Sequence, residues 1–298
     1  MNQTQDFTKG VIWKQLLFFF FPILIGSFFQ QLYNTVDTII VGQAVGTSAL
    51  AAVGSTGNLT SLIVNFYVGL STGASVVIAQ YYGAQNKKKI HQAVHTSYML
   101  AIVSGILMML FGLFFSYQCL DAIGTPHDIL NDATLYMQLY FLCMIPGAIY
   151  NIGAGILRAV GDSKRPLYYL IVCSIVNVVF DFIFVVIFHQ GIAGAAIATV
   201  IAQFVCAILV TIQLMRTEEV YKLTLSQMKF HLPVLKKIIM IGAPAGIQST
   251  MYSISNIVLQ SHINTFGTQT IASWAVYVKI DALFWMMIAA IGAAITTF

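Results

Sequence analysis

Apolar residues run through this chain in blocks longer than a strand or a core helix needs. From residue 15 onward the blocks carry almost no charge, show no two-residue alternation, and are separated by short polar or basic joints. About 20 apolar residues let an α-helix cross hydrocarbon, where each backbone N–H and C=O must find its partner within the segment. A barrel strand would instead alternate between lipid-facing and lumen-facing residues. The pattern predicts eight spanning helices, at 15–41, 50–80, 93–117, 129–155, 166–189, 191–215, 236–264 and 267–298. Pro22, Pro146 and Pro244 fall inside them, where membrane helices accommodate proline as a bend.

Composition gives the same answer. The chain is 58% hydrophobic and 8% charged, whereas a soluble domain carries about 25% charged residues. Too little polar sequence is present to build a water-facing shell, so the fold class is an all-α polytopic membrane protein. Cys119, Cys143, Cys173 and Cys206 lack metal-ligand spacing. Three of them lie in apolar runs, where cysteine behaves as a small hydrophobe, so neither a disulfide framework nor a zinc site is expected. Lys9 and Lys14 ahead of the first run resemble a secretion signal. The run outlasts a signal core and no small-residue cleavage site follows, so it reads as the first spanning helix.

Charge sets the orientation. Of fourteen Lys and Arg, thirteen fall in joints on one side: Lys9 and Lys14, Lys87 to Lys89, Arg158, Lys164 and Arg165, then Arg216, Lys222, Lys229, Lys236 and Lys237. The joints near 42–49, 118–128, 190 and 265 carry none, and the second holds Asp121 and Asp128. The positive-inside rule then predicts a cytoplasmic N-terminus in the plasma membrane. The net charge of +4 is thereby a topological signal, and no nucleic-acid partner is expected. His91 and His95, one turn apart, have metal-binding spacing, but no third ligand is near and an interfacial role is expected. There is no HExxH motif and no nucleophile–His–acid set, so neither an enzyme nor a cofactor is predicted. No obligate protein partner is evident; the lipid bilayer is the surrounding medium.

An internal repeat is visible. Pro22, Ile25, Ser27 and Asn34 align with Pro244, Ile247, Ser249 and Asn256, and after one gap Gly46, Thr47 and Ala51 align with Gly267, Thr268 and Ala272. Both segments start on the same side, which suggests a parallel repeat about an axis along the membrane normal. The domains expected are a six-helix lobe at 1–215, a cytoplasmic linker at 216–235, and two helices of a second, repeat-related lobe at 236–298. Under this alignment Phe298 falls just before the counterpart of Gln80-Tyr81-Tyr82-Gly83, so the chain is expected to be shorter than a complete two-lobe protein. Gly69-xxx-Gly73 and Gly242-xxx-Gly246 allow close helix approach.

Three acids lie inside spans: Asp37, Asp181 and Asp281. A charged residue at the bilayer centre costs about 2.5–3.5 kcal/mol even on the lenient insertion scale. Hydrogen bonds between membrane helices return only about 0.6 kcal/mol on average, so helix pinning alone is a poor reason to keep such residues. Gln30, Tyr33, Asn34 and Asp37 recur at three- and four-residue spacing and share one face of the first helix. Asn177 precedes Asp181 by one turn and could donate to its carboxylate. The repeat counterpart of Asp37 is Val258 or Leu259, so the fold of the unit does not demand the acid. Two carboxylates with amide and hydroxyl groups could hold a proton or a sodium ion. Asp281, two residues from Lys279, could equally snorkel or line a cleft. Phe18 to Phe21 and Tyr168–Tyr169 read as lipid contact or packing.

At these residues the chain resembles a known family. Tyr33-Asn34-Thr35-Val36-Asp37-Thr38-Ile39-Ile40-Val41-Gly42, followed by Ala49-Leu50-Ala51-Ala52-Val53-Gly54, is similar to the first-helix signature of the multidrug and toxic compound extrusion family. Three later stretches resemble its bacterial members: Leu157-Arg158-Ala159-Val160-Gly161-Asp162-Ser163-Lys164-Arg165-Pro166, Asn177-Val178-Val179-Phe180-Asp181, and Gly194-Ala195-Ala196-Ile197-Ala198-Thr199. The resemblance implies two six-helix lobes around a cleft, and export of amphipathic, often cationic, small organic compounds in exchange for H+ or Na+. It also implies a first-lobe cation site of Asp37, Tyr136, Asn151, Asn177, Asp181 and Thr199; Gln30, Tyr33 and Asn34, on the Asp37 face of the first helix, are expected to line a substrate cavity. The coupling ion stays open between proton and sodium. A flippase for a lipid-linked precursor, and a fragment without transport of its own, stand as alternatives.

Overall fold

The computed structural model describes residues 11–263 and 268–297. Lys9, the joint expected near 265, Gly267 and Phe298 lie outside the described residues, as does the side chain of Lys279. The described residues are mostly helical, and no strand occurs among them. Its elements are α1 (Ile12–Ala44), α2 (Thr47–Gly83), α3 (Lys87–Ala122), α4 (His127–Phe141), α5 (Met144–Ala159) and α6 (Lys164–Asp181). A π-helical turn (Phe182–Ile187) extends α6, and α7 (Gly191–Arg216), α8 (Leu232–Ile263) and α9 (Thr268–Thr297) follow.

Among the described residues, six helical segments are long and apolar enough to cross a membrane, and the bent pair α4–α5 makes a seventh if counted as one span. Eight were expected. The missing one is α8, whose apolar character is diluted by Gln248, Ser249, Thr250, Ser253, Ser255 and Asn256. The span expected at 129–155 is also not one rod. It breaks between Phe141 and Met144, with a 45° bend. Pro146 explains the place: its ring excludes the carbonyl four residues earlier, at Leu142, and it has no N–H to donate.

α5 forms the centre of the bundle, with α2, α3 and α7 around it. Small residues make this possible. A Cβ at Gly105 of α3 would stand 2.8 Å from the Ile145 Cα, and one at Gly155 would stand 2.6 and 2.7 Å from the Ser75 and Ser71 hydroxyls of α2. Ile152, Ile156 and Leu157 of α5 are wholly buried. α1 lies along α6 on one side and against α9 on the other. Phe18 and Phe21 point outward, whereas Phe19 between them is 1% exposed, so the run read as lipid contact or packing divides between the two. The outward aromatics match a surface whose solvent is hydrocarbon.

α8 crosses α2 in antiparallel fashion, through the two small-residue pairs. Gly69 meets Gly246, and Gly73 meets Gly242. Asn65 Nδ2 donates to Ser253 Oγ at 3.1 Å further along the same crossing. The Tyr81 ring is flanked by Lys89 Nζ at 5.5 Å and Lys237 Nζ at 5.4 Å. This puts the starts of α3 and α8 at one end of the molecule, the end to which the charge pattern assigns them.

The joint between α5 and α6 is defined by its sequence. Gly161 adopts φ +90°, its N–H donates to Arg158 O at 2.9 Å, and the Asp162 N–H donates to Leu157 O at 2.9 Å. This is a Schellman stop, which glycine meets without steric cost. Asp162 then caps α6 by accepting from the Arg165 N–H at 3.1 Å, and the Arg165 guanidinium lies 3.1 Å from its other oxygen. Burial pushes the Asp162 carboxyl up from its ordinary value, opposed by Arg165 and Lys164.

One expectation is corrected outright. Cys173 of α6 and Cys206 of α7 are bonded to each other, while Cys119 and Cys143 are free. Their Cα atoms stand 5.9 Å apart, inside the range a disulfide accepts. Spacing of 33 residues gave no hint, because the pairing depends on α6 lying beside α7.

Candidate functional site

α6 ends at Asp181, and the helix then widens into the π turn, where the Phe188 N–H reaches Ile183 O at 2.9 Å. Such turns interrupt the regular ladder and recur at functional sites. Asp181 is 0% exposed and Asn177 1% exposed. Asp37, on the neighbouring α1, is half-buried. The two carboxylates are within electrostatic reach of each other, and Tyr136 of α4, itself buried, lies within reach of both. Thr199 of α7 closes the group: the Asn177 Nδ2 donates to its Oγ1 at 3.4 Å, and Thr199 Oγ1 donates onward to Ala195 O at 3.1 Å.

The expected bond from Asn177 to Asp181 is not made. The Asn177 amide turns toward α7 and bonds Thr199, because a residue one turn earlier on α6 also faces the α6–α7 seam. As a result, both oxygens of Asp181, Oδ1 of Asp37 and Oδ1 of Asn177 are buried with no donor among the described residues. A buried acceptor left without a donor costs roughly 1–3 kcal/mol, more when charged. These oxygens lie on the adjacent helices α1 and α6, with the two carboxylates in electrostatic reach of each other. Carbonyl and carboxylate oxygens in that arrangement suit a hard cation such as sodium, and equally a proton shared onto a carboxylate.

Five of the six predicted site residues come together here: Asp37, Tyr136, Asn177, Asp181 and Thr199. Asn151 is held differently. Its Nδ2 donates to Gly147 O at 2.8 Å, and its backbone carbonyl accepts from Ser71 Oγ at 2.7 Å. Among the cavity candidates, Tyr33 lies near Gln30, Cys143, Tyr150 and Asp37. Asn34 is exposed, and its carbonyl accepts from Thr38 Oγ1 at 2.8 Å. The sequence reading missed Tyr140, Cys143 and Tyr150, which stand near Tyr33 across from α1. Tyr136 and Tyr140 stack with centroids 6.3 Å apart; their four-residue spacing was the available signal.

Several apolar helices around a buried oxygen cluster define a multi-pass membrane protein with an intramembrane polar site. The MatE family profile matches residues 22–183, more than half of the chain, and the chain belongs to that family. It is 27% identical to the probable multidrug resistance protein YoeA of Bacillus subtilis, over 99% of this chain and 65% of that protein. It is 26% identical to the probable multidrug resistance protein YpnP of the same organism, over 98% of this chain and 65% of that one. Among solved structures, an outward-facing multidrug resistance MATE family transporter of the MOP superfamily superposes with TM-score 0.92 at 26% identity. That superposition covers 100% of this chain and 66% of the other. A MATE in complex with MaD3S gives TM-score 0.89 at 27% identity, over 95% and 64%. The chain thus spans about 65% of the length of the curated relatives it matches.

Proposed function

We propose that the protein acts in cation-coupled antiport, exporting amphipathic organic cations across the plasma membrane in exchange for H+ or Na+, with its N-terminus in the cytoplasm. The observation that carries this reading is the set of buried oxygens of Asp37, Asn177 and Asp181 that have no donor. A fold keeps such a group only where something else supplies the positive charge. In the reading, residues 1–215 form one lobe, 216–235 a cytoplasmic linker, and 236–298 the part of a second lobe present here. A cation entering the cluster neutralises the carboxylates and changes how α1, with Pro22, packs on α6. Cargo held beside Tyr33 and Tyr140 is then displaced, and rocking of the lobes alternates access. The ion can drive this only by its different affinity for the two states. The names of the relatives, a probable multidrug resistance protein among them, support drug-like cargo, and the acidic cluster supports cationic cargo.

The test is efflux of a fluorescent organic cation from liposomes, under an imposed proton gradient and then a sodium gradient. Wild type is expected to export under one of them, and Asp37→Asn to show only leak. Gradient-driven export retained in Asp37→Asn would overturn the proposal.

A further inference from the structure

A second polar site lies at the opposite end of α3 from the Gly124 turn, where the helix begins. A pocket of about 450 Å³ is lined by Lys88, His91, Gln92, Ser226, Gln227, Lys229 and His231. Its walls are the first turns of α3 and the segment between α7 and α8. The lining offers two ammonium groups, two imidazoles, two amides and a hydroxyl, with no carboxylate and no apolar side chain. The lining is thus a concentration of donors with no carboxylate among them.

The walls are fixed from beneath. His95, 0% exposed, lies with Nδ1 2.8 Å from His91 O and accepts the Thr224 N–H on Nε2 at 3.1 Å. Thr96, also 0% exposed, accepts the His231 N–H at 3.2 Å. The His91 ring and the Gln227 side chain both line the pocket, and the His91 ring lies tilted against His95 with centroids 4.0 Å apart. The pair His91 and His95 is therefore not a metal site: His95 is spent on clasping the segment, and among the described residues no group of metal ligands forms. What the clasp builds is a concavity bordered by two lysines, one on each wall. Lys88 and Lys229 line it from the two walls, and both are exposed, so they are available to an incoming ligand.

We propose that this pocket binds a phosphate group. Phosphate matches it in charge, in needing donors only, and in presenting several acceptor oxygens that two lysines and two imidazoles can engage together. The same group is carried by soluble phosphate compounds and by anionic lipid headgroups, and basic pockets between helices at the membrane surface take the latter. α8 begins at Leu232, directly after His231, so an occupied pocket braces the start of α3 against the entry to α8. Binding to the folded protein alone then raises its melting temperature in a saturable way.

The experiment measures melting of the purified protein in neutral detergent with inorganic phosphate against chloride at matched ionic strength. A second arm uses vesicles of phosphatidylcholine with and without phosphatidylglycerol. The variants are Lys88→Gln/Lys229→Gln and, as a charge-matched control outside the pocket, Lys222→Gln/Lys236→Gln. A saturable rise of several degrees is expected in wild type and in the control, and its loss in Lys88→Gln/Lys229→Gln. A rise with inorganic phosphate identifies soluble phosphate as a sufficient ligand, and a rise only with phosphatidylglycerol identifies the lipid headgroup. Equal losses in both double variants, or no saturable response in either arm, overturn the proposal.

Discussion

Asp181→Asn is expected to reduce gradient-driven export to leak and, at the same time, to stabilise the folded protein when no coupling cation is present. The carboxylate is 0% exposed and both of its oxygens lack donors. Exchanging a buried group without partners for a neutral amide relieves a penalty of about 1–3 kcal/mol. The new amide also has N–H groups to offer the Asn177 Oδ1, which has no donor now. A residue kept only to hold α6 in place would behave oppositely, since breaking a structural hydrogen bond lowers stability. Thermal melting in cation-free buffer therefore separates the readings. A higher melting temperature in Asp181→Asn supports a site built for a cation, and a lower one supports a structural pin.

Gly73→Ala is expected to damage the protein through a different mechanism. An added Cβ would stand 2.5 Å from Ile238 O and 2.6 Å from Gly242 N, backbone atoms of α8 that no rotamer change can move aside. α2 and α8 must separate, and the tight crossing at Gly69 and Gly246 separates with them. Overpacking of this kind costs about 1–3 kcal/mol. Gly57→Ala on the same helix is the control, because nothing lies within 4 Å of its would-be Cβ. There the substitution should be neutral or stabilising by about 0.5–1 kcal/mol. The expected pair of results is a lower melting temperature for Gly73→Ala and none of that loss for Gly57→Ala. Equal behaviour would mean that the α2–α8 contact contributes little.

Much of this was legible in the chain. The apolar blocks place α1, α2 and α7 within three residues of their helices, α6 with its π turn within two, and α3 within six, because hydrocarbon imposes length and composition together. The small-residue pairs at Gly69/Gly73 and Gly242/Gly246 proved to face each other. Asp37 and Asp181 stood out because their cost demands a reason. The rest depends on which helix lies opposite which. Nothing in the spacing of Cys173 and Cys206 reveals that α6 and α7 adjoin, and the bond from Asn177 to Thr199 arises from the same adjacency. His95 read as half of a weak metal motif, whereas its partner, Thr224, is 129 positions away. The break at Leu142 was foreseeable from Pro146. α8 shows the reverse limit: the apolar pattern marked it as a span, although its hydroxyl and amide residues leave it short of the apolar content of the others.

The central claim is that the oxygens of Asp37, Asn177 and Asp181 hold a cation, and the most direct measurement counts it. Radioactive sodium binding and proton uptake after a pH jump would be recorded on purified wild type beside Asp37→Asn/Asp181→Asn. The account predicts a saturable sodium site, or a titrating proton, in wild type that is missing from the variant. Identical sodium binding and identical proton uptake in the two proteins would contradict it.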